Sequence, residues 1–339
     1  MGRQIAFVFD LNKCIGCQTC SVACKVLWHQ DEAGADEQWW CSVNTQPGRG
    51  TPRDWEDMGG GYDSDGELSP GALPTAEEFG SRSGSLYNWD EVHESGEHTT
   101  FKPRGERAKW AMNWDEDQGS GDFPNAYFYY MPRICNHCSK PACLEACPNT
   151  ALYKRDDLGV VLRDESLCRG AQQCAQACPY KKIYFNEARG TSQHCIGCFP
   201  RLEKGVAPAC VRQCPGRAVF VGYRDDEDSA IHKLVDEWKV ALPHHDEFNT
   251  EPNVFYVPPL SPFRVAEDGR IEIGKRRIPL DYLESQFGQG VGDALASLEQ
   301  GMVAKRRGES SELMDTLIGF EWKEFLGPFT VDPAEIEWR

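Results

Sequence analysis

Cysteines at two- and three-residue gaps can wrap a metal, and four such groups recur in this sequence. The first is Cys14, Cys17, Cys20 and Cys24; the second is Cys135, Cys138, Cys143 and Cys147. The third is Cys168, Cys174 and Cys178; the fourth is Cys195, Cys198, Cys210 and Cys214. Three thiolates close together in sequence can hold three corners of an iron–sulfur cubane. The outlying fourth, set off by three residues on a helix, points away and binds a neighbouring cluster. In the last three groups that outlying cysteine precedes a proline, Pro148, Pro179 or Pro215. Groups of this kind work in pairs, so four groups imply two two-cluster units. The nested order pairs first with fourth and second with third. The expected ligand sets are Cys14, Cys17, Cys20 with Cys214; Cys195, Cys198, Cys210 with Cys24; Cys135, Cys138, Cys143 with Cys178; and Cys168, Cys174 with Cys147.

The last set is one ligand short. In CRGAQQCAQACP (168–179) Ala171 stands where a second cysteine would complete the spacing. A methyl group cannot bind iron, so three thiolates there imply a [3Fe–4S] cluster beside three [4Fe–4S] clusters. The rival reading, a decayed and empty site, sits poorly with the other three cysteine positions of that group, which are intact.

Disulfides and zinc are the other uses of so many cysteines. Neighbouring thiols at these gaps point in awkward directions for pairing with each other. The segment MGRQIAFVFDLNK before Cys14 has neither the apolar stretch nor the cleavage site of a secretory leader. Zinc needs four ligands in a closed tetrahedron and often recruits histidine, whereas no histidine recurs here in a regular position. Charge favours iron–sulfur. Between residues 131 and 217 thirteen Lys and Arg face seven acids, in a chain whose formal charge is -17. Thiolate-ligated clusters are anionic, and local cations stabilise them. A basic patch that is merely solvated would not need to coincide with the cysteines. The acidic whole should repel nucleic acid and anionic membrane surfaces, and no apolar run is long enough to span a bilayer.

These groups need elements to hold them. RQIAFVFDL (3–11) reads as a strand leading into the first group, ALYKRDDLGVVLRD (151–164) and KKIYFNEARGTSQH (181–194) as hairpins, and AVFVGYRDD (218–226) as a closing strand. Residues 26–130 hold only Cys41 but seven tryptophans, Trp28, Trp39, Trp40, Trp55, Trp89, Trp110 and Trp114, among loop-forming runs such as 56–71 and 79–88. Loops of that length are uncommon unless they cover a site or a partner. IHKLVDEWKVAL (231–242) places Ile231, Leu234, Val235 and Trp238 on one helical face. PNVFYVPPLSPF (252–263) is extended, and 281–300 and 312–322 read as short helices. The expected class is α+β: two bacterial-ferredoxin-like (βαβ)2 units related by pseudo-symmetry. Unit A comprises 1–25 and 195–225 and unit B 131–194. Residues 26–130 form a loop-rich insertion and 226–339 a helical and extended interface arm.

Several segments together resemble a known family. DLNKCIGCQTCSVACK, NWDEDQG (113–119), RICNHCSKPACLEACP, CPYKKIYFN, CIGCFPRLEKGVAPAC, EPNVFYVPP and RGESSELMD (307–315) are similar to the iron–sulfur β subunits of type II dimethyl sulfoxide reductase family molybdoenzymes. The resemblance implies an electron relay of three [4Fe–4S] clusters and one [3Fe–4S] cluster, the latter at the group that lacks a cysteine. It implies a molybdenum-containing catalytic α subunit at the Cys14, Cys17, Cys20 and Cys214 end. A haem b γ subunit or membrane anchor is expected at the three-iron end. It also implies a periplasmic home by co-export with a twin-arginine-tagged partner, with the cytoplasm, as for nitrate-reductase-type β subunits, as the alternative. Two other roles compete: a self-contained enzyme using the open corner near Ala171 as a Lewis acid, and a zinc-stapled scaffold. No Ser/His/Asp set or carboxylate pair stands out as catalytic. Cys41 reads as a buried small side chain. His137 and His194 read as packed neighbours of cysteines, and GQGVGD (288–293) lacks the spacing of a dinucleotide loop.

Overall fold

The computed structural model describes residues 3–30, 32–35, 38–75, 78–79 and 119–337. Its organising element is β1 (Ile5–Asp10), whose IAFVFD run is buried on both faces. Continuous apolar strands of this kind belong in the middle of a covered sheet. β1 pairs antiparallel with β8 (Val219–Tyr223) and parallel with β10 (Val254–Val257), and β9 (Leu242–Pro243) closes the far edge. Side chains alternate across a strand, so the sheet divides the core in two. Ile5, Phe7, Phe9, Val219, Val221, Val254 and Tyr256 share one cluster with Cys20, Cys24, Cys195 and Cys210. Ala6, Val8, Phe220, Phe255 and Val257 face the opposite way, onto Leu298, Met314, Leu317 and Phe325 of the C-terminal segment. The cysteines therefore lie on one side of a partition.

Around that sheet the local elements are short. The first cysteine group runs into α1 (Thr19–Trp28). β2 (Ser42–Gln46) pairs with β3 (Tyr129–Arg133), β4 (Leu152–Lys154) with β5 (Val161–Arg163), and β6 (Ile183–Asn186) with β7 (Thr191–His194). The last two are the hairpins read from the sequence. Short helical turns lie between them: α2 (Ala142–Glu145), α3 (Gln173–Ala177) and α5 (Ala209–Arg212) carry cysteines, and α4 (Phe199–Leu202) follows Cys198 directly.

The structure adds to several expectations. The segment 226–339, expected as a helical and extended interface arm, also places β10 inside the central sheet beside β1; its buried VFYV run needs cover on both faces. In 231–242 the helix α6 (Ala230–His232) passes into a π turn over Lys233–Glu237. Ile231, Leu234 and Val235 are buried, but Trp238 falls beyond the helical stretch and packs only partly. The segment read as 281–300 is α7 (Leu280–Phe287) followed by the sixteen-residue α8 (Val291–Arg306). α8 continues through Gly301, where an added Cβ would meet Met314 of α9 (Glu312–Ile318) at 2.9 Å, so the glycine serves a close helix approach rather than a stop. A final two-stranded ribbon, β11 (Phe263–Val265) with β12 (Ile271–Arg276), precedes α7. The start of the insertion is also core: Trp39, Trp40 and Trp55 are buried and β2 is paired. Trp89, Trp110, Trp114, the rest of the 79–88 run and all but the last residue of 113–119 lie outside the described residues.

The 56–71 run covers α3. The Gly61 N–H donates to Ala177 O at 2.9 Å, and a Cβ on Gly60, at φ +106°, would stand 2.7 Å from the same oxygen. Gly60→Ala should therefore cost about 1–3 kcal/mol by forcing backbone apart at a left-handed position. Gly269→Ala, also at positive φ (+82°) but with nothing within 4 Å of its Cβ, isolates the dihedral cost. Chemical denaturation should place Gly60→Ala clearly below that control; equal midpoints would contradict the close approach.

Candidate metal centres

The cysteine loops share one backbone device. In each group the residue two after the first cysteine has positive φ: Gly16 (67°), His137 (43°), Gly170 (70°) and Gly197 (61°). This left-handed step turns the chain so that successive side chains can face a common point. The loop at Ala171 has the same turn as the three with a second cysteine. A second repeat follows the Cys-Pro pairs, where Thr150, Lys181 and Arg217 adopt φ of 48°, 48° and 49°. Their N–H groups bond back to the carbonyls of Cys147, Cys178 and Cys214. The next N–H then reaches sulfur in two of them, Ala151 to Cys147 Sγ at 3.3 Å and Ala218 to Cys214 Sγ at 3.4 Å.

The thiols gather as four sets. Burial raises every one of the following thiols, and the neighbours that add to the rise identify its set. Cys14 is pushed up to about 12 by burial, then by Cys20, Cys214 and Cys17. Cys24 is raised by burial, then Cys195 and Cys198, and Cys210 by burial, then Cys198, Cys195 and Cys24. Burial and Cys178 push Cys138 up to about 12, and Cys143 rises with Cys178, Cys135 and Cys138 around it. Cys174 is raised by burial, then by Cys147 and Cys168. Charge effects also run between sets: Cys20 raises Cys24 and Cys210, Cys195 raises Cys135, and Cys174 raises Cys143. Two small cavities of about 20 Å³ lie among them, one lined by Cys14, Cys17, Cys20 and Cys214 and one by Cys135, Cys138, Cys143 and Cys178.

These residues fit iron–sulfur clusters. Buried thiols that raise one another's pKa are poor places for free thiolates and good ones for thiolates shared with a cation. Donors are already aimed inward: Trp28 Nε1 at Cys198 Sγ (3.2 Å) and Gly197 N at Cys195 Sγ (3.4 Å). His137 Nδ1 accepts from Val161 N at 3.1 Å, so its Nε2 carries the proton. That buried N–H has no hydrogen-bond partner among the described residues and lies against the Gly197 turn. An acceptor sulfur is what it lacks. His194 instead donates through Nδ1 to Cys195 O at 2.7 Å.

Two things escaped the sequence reading. Lys182, counted there only as one of many cations, is fully buried and donates to Trp39 O, Ser42 Oγ and Tyr184 Oη at 2.9, 3.0 and 2.9 Å. Burial and then the Arg133 charge pull it down to about 7, while Cys41, Cys195 and Cys24 pull it back up. Arg133 is equally buried, lying 3.5 Å over the Trp55 ring and donating to Tyr180 O at 2.7 Å. The Tyr and Trp partners are spread over the chain, and no local pattern announces them. The second is Cys41, buried as expected but so near Cys20 that the two thiols perturb each other.

Comparison with known proteins agrees with this geometry. Residues 126–224 match the 4Fe-4S dicluster domain model. The chain is 52% identical to selenate reductase subunit beta of Thauera selenatis, over 96% of this chain and 99% of that protein. It is 53% identical to chlorate reductase subunit beta of Ideonella dechloratans over the same shares. It is 48% identical to respiratory nitrate reductase subunit beta of Haloferax mediterranei, over 93% and 90%. With a ferredoxin-like dicluster region in a mixed α/β fold and thiols gathered in sets, the chain belongs to the iron–sulfur β subunits of type II dimethyl sulfoxide reductase family molybdoenzymes, electron-transfer rather than catalytic subunits.

Proposed function

We propose that this chain holds three [4Fe–4S] clusters and one [3Fe–4S] cluster and relays electrons between a molybdenum-containing catalytic α subunit and a haem b γ subunit or membrane anchor. The observation that carries this reading is one left-handed turn repeated in all four cysteine groups, at Gly16, His137, Gly170 and Gly197, with backbone and indole N–H groups aimed at Cys147, Cys195, Cys198 and Cys214 sulfurs. The clusters are assigned to Cys14, Cys17, Cys20 and Cys214, to Cys24, Cys195, Cys198 and Cys210, to Cys135, Cys138, Cys143 and Cys178, and to Cys147, Cys168 and Cys174. Bound clusters supply one-electron oxidation and reduction with little rearrangement of the protein. The chain's own part is to hold the thiolates, exclude water and place positive groups beside them.

Lys154 donates to His137 O and Cys138 O at 2.9 and 3.0 Å, Arg201 is buried beside Cys198, and Lys182 lies near Cys24 and Cys195 and lines the cavity of Cys135, Cys138, Cys143 and Cys178. The repeated left-handed turns support two ferredoxin-like units related by pseudo-symmetry. At one end Cys17 is exposed, with Ile15, Val22, Val26 and Leu27 exposed beside it. That apolar surface suits a permanent subunit contact, and we assign it to the α subunit. Leu167 and Tyr153 are exposed by the Ala171 end, which we assign to the γ subunit. Among the described residues no helix is long and apolar enough to cross a membrane, so attachment would pass through that partner. Periplasmic residence by co-export with a twin-arginine-tagged α subunit belongs to the same proposal.

Iron analysis of the purified complex should give about fifteen irons attributable to this chain, from three cubanes and one three-iron cluster. Cys214→Ala should lower that figure by about four, whereas Cys41→Ala should leave it unchanged although Cys41 lies against Cys20; equal losses would make Cys41 a ligand. Ala171→Cys should add about one iron and abolish the EPR signal of an oxidised three-iron cluster. Persistence of that signal in the variant would place the open corner elsewhere.

A further inference from the structure

Away from the cysteines a second set of metal-binding side chains comes together. Glu56 sits on a short 3-10 turn, Trp55–Met58, in the loop that covers α3. His244 and His245 follow β9, with His245 at φ 53°. One donor atom from each of the three lies within 4.8 Å of the others.

The hydrogen bonds settle which atoms are free. His245 Nδ1 donates to the Glu247 carboxylate at 2.6 Å, and although burial lowers its pKa, Glu247 and Glu56 raise it to about 9, so a metal on Nε2 must displace a proton. That Nε2 stands 3.5 Å from Glu56 Oε1, and both atoms are buried with no hydrogen-bond partner. His244 Nε2 donates to Gln286 Oε1 at 2.9 Å, leaving a lone pair on Nδ1. Metal-bound imidazoles are oriented in this way, with the second ring nitrogen donating to a carboxylate or carbonyl oxygen. The 3.5 Å gap is the separation of two donors on one zinc bonded at about 2.0–2.2 Å.

Trp55, Tyr256, Phe287 and Phe248 ring the two imidazoles, while the Glu56 side chain is partly exposed. The walls are dry and one edge is open to an ion and a water. We propose that Glu56 Oε1, His244 Nδ1 and His245 Nε2 bind one zinc ion, separate from the iron sites. Two imidazoles and a carboxylate are zinc donors, and zinc outranks the ferrous ion in affinity for nitrogen ligands. The ion ties the covering loop to the turn after β9 and, through Gln286, to α7. It thereby clamps the loop over Tyr180, two residues past Cys178. The rival for the Nε2 lone pair is a proton shared with Glu56.

The test uses the native complex, purified without chelator and exposed to equimolar Zn²⁺. Metal analysis should find about one zinc for each copy of this chain, and zinc X-ray absorption should show nitrogen and oxygen at about 2.0–2.1 Å with no sulfur shell. Glu56→Gln and His245→Gln should each lose zinc and keep iron. Glu247→Ala, on the more exposed partner of Nδ1, should weaken zinc by about 10–100-fold and keep the fold even where the other two do not. A sulfur shell near 2.3 Å, zinc below about a tenth of an equivalent, or zinc retained in all three variants would each overturn the site. Iron measured on the same samples reports separately on the cluster reading.

Discussion

Fifteen thiols, all but Cys17 buried or half-buried, cannot all ionise inside a protein unless positive charge is placed among them. Most of the fold answers that constraint. β1 is apolar on both faces, which lets one sheet separate the cluster holding Cys20, Cys24, Cys195 and Cys210 from the one holding Leu298, Met314, Leu317 and Phe325. The left-handed turns aim side chains inward, and backbone N–H groups freed by them point at sulfur. The buried cations complete the arrangement. Lys182 and Arg133 would each be costly in an apolar core without anions nearby, and both are fixed by carbonyl and ring partners so that they cannot swing out to water. Iron supplies most of the positive charge on the proposed reading, and these side chains supply the rest.

The same constraint explains the distribution of charge. The chain is acidic as a whole, yet residues 131–217 carry six more basic than acidic side chains. Many of those cations are spent inside, on carbonyls and on the neighbourhood of sulfur, and do not form an external basic face. Exposed acids can then dominate the surface without acting strongly on the interior, since solvent and salt screen them. The covering loop at 56–71 adds a further layer: its glycines let backbone lie directly on α3 with no side chain between.

Much of the cysteine architecture was legible because the relevant signal is local. Spacings of two and three residues are short enough that local geometry follows from sequence, and each of the four groups does carry the same left-handed turn. β1 and the two hairpins were legible for the same reason, through continuous or alternating apolar runs closed by turn residues. What escaped depends on contacts between distant positions. β10 reads as an extended tail until its partner, nearly the whole chain away, is seen beside it. Lys182 looks like surface charge until Trp39, Ser42 and Tyr184 enclose it. Glu56 and the two histidines share no spacing at all, and only the fold brings them together.

Ala171 shows how far the scaffold, rather than the ligand, decides a site. Gly170 holds φ at 70°, beside 67° and 61° at Gly16 and Gly197. Here a Cβ on Gly170 would meet the Gly190 carbonyl at 2.7 Å, so the turn is also locked by packing against the β6–β7 hairpin. The backbone around the vacant corner is thus held by contacts that do not involve metal, and the three remaining thiols keep their positions relative to it. On the proposed reading, a frame held by such contacts would keep its shape with one ligand missing and would hold one iron fewer.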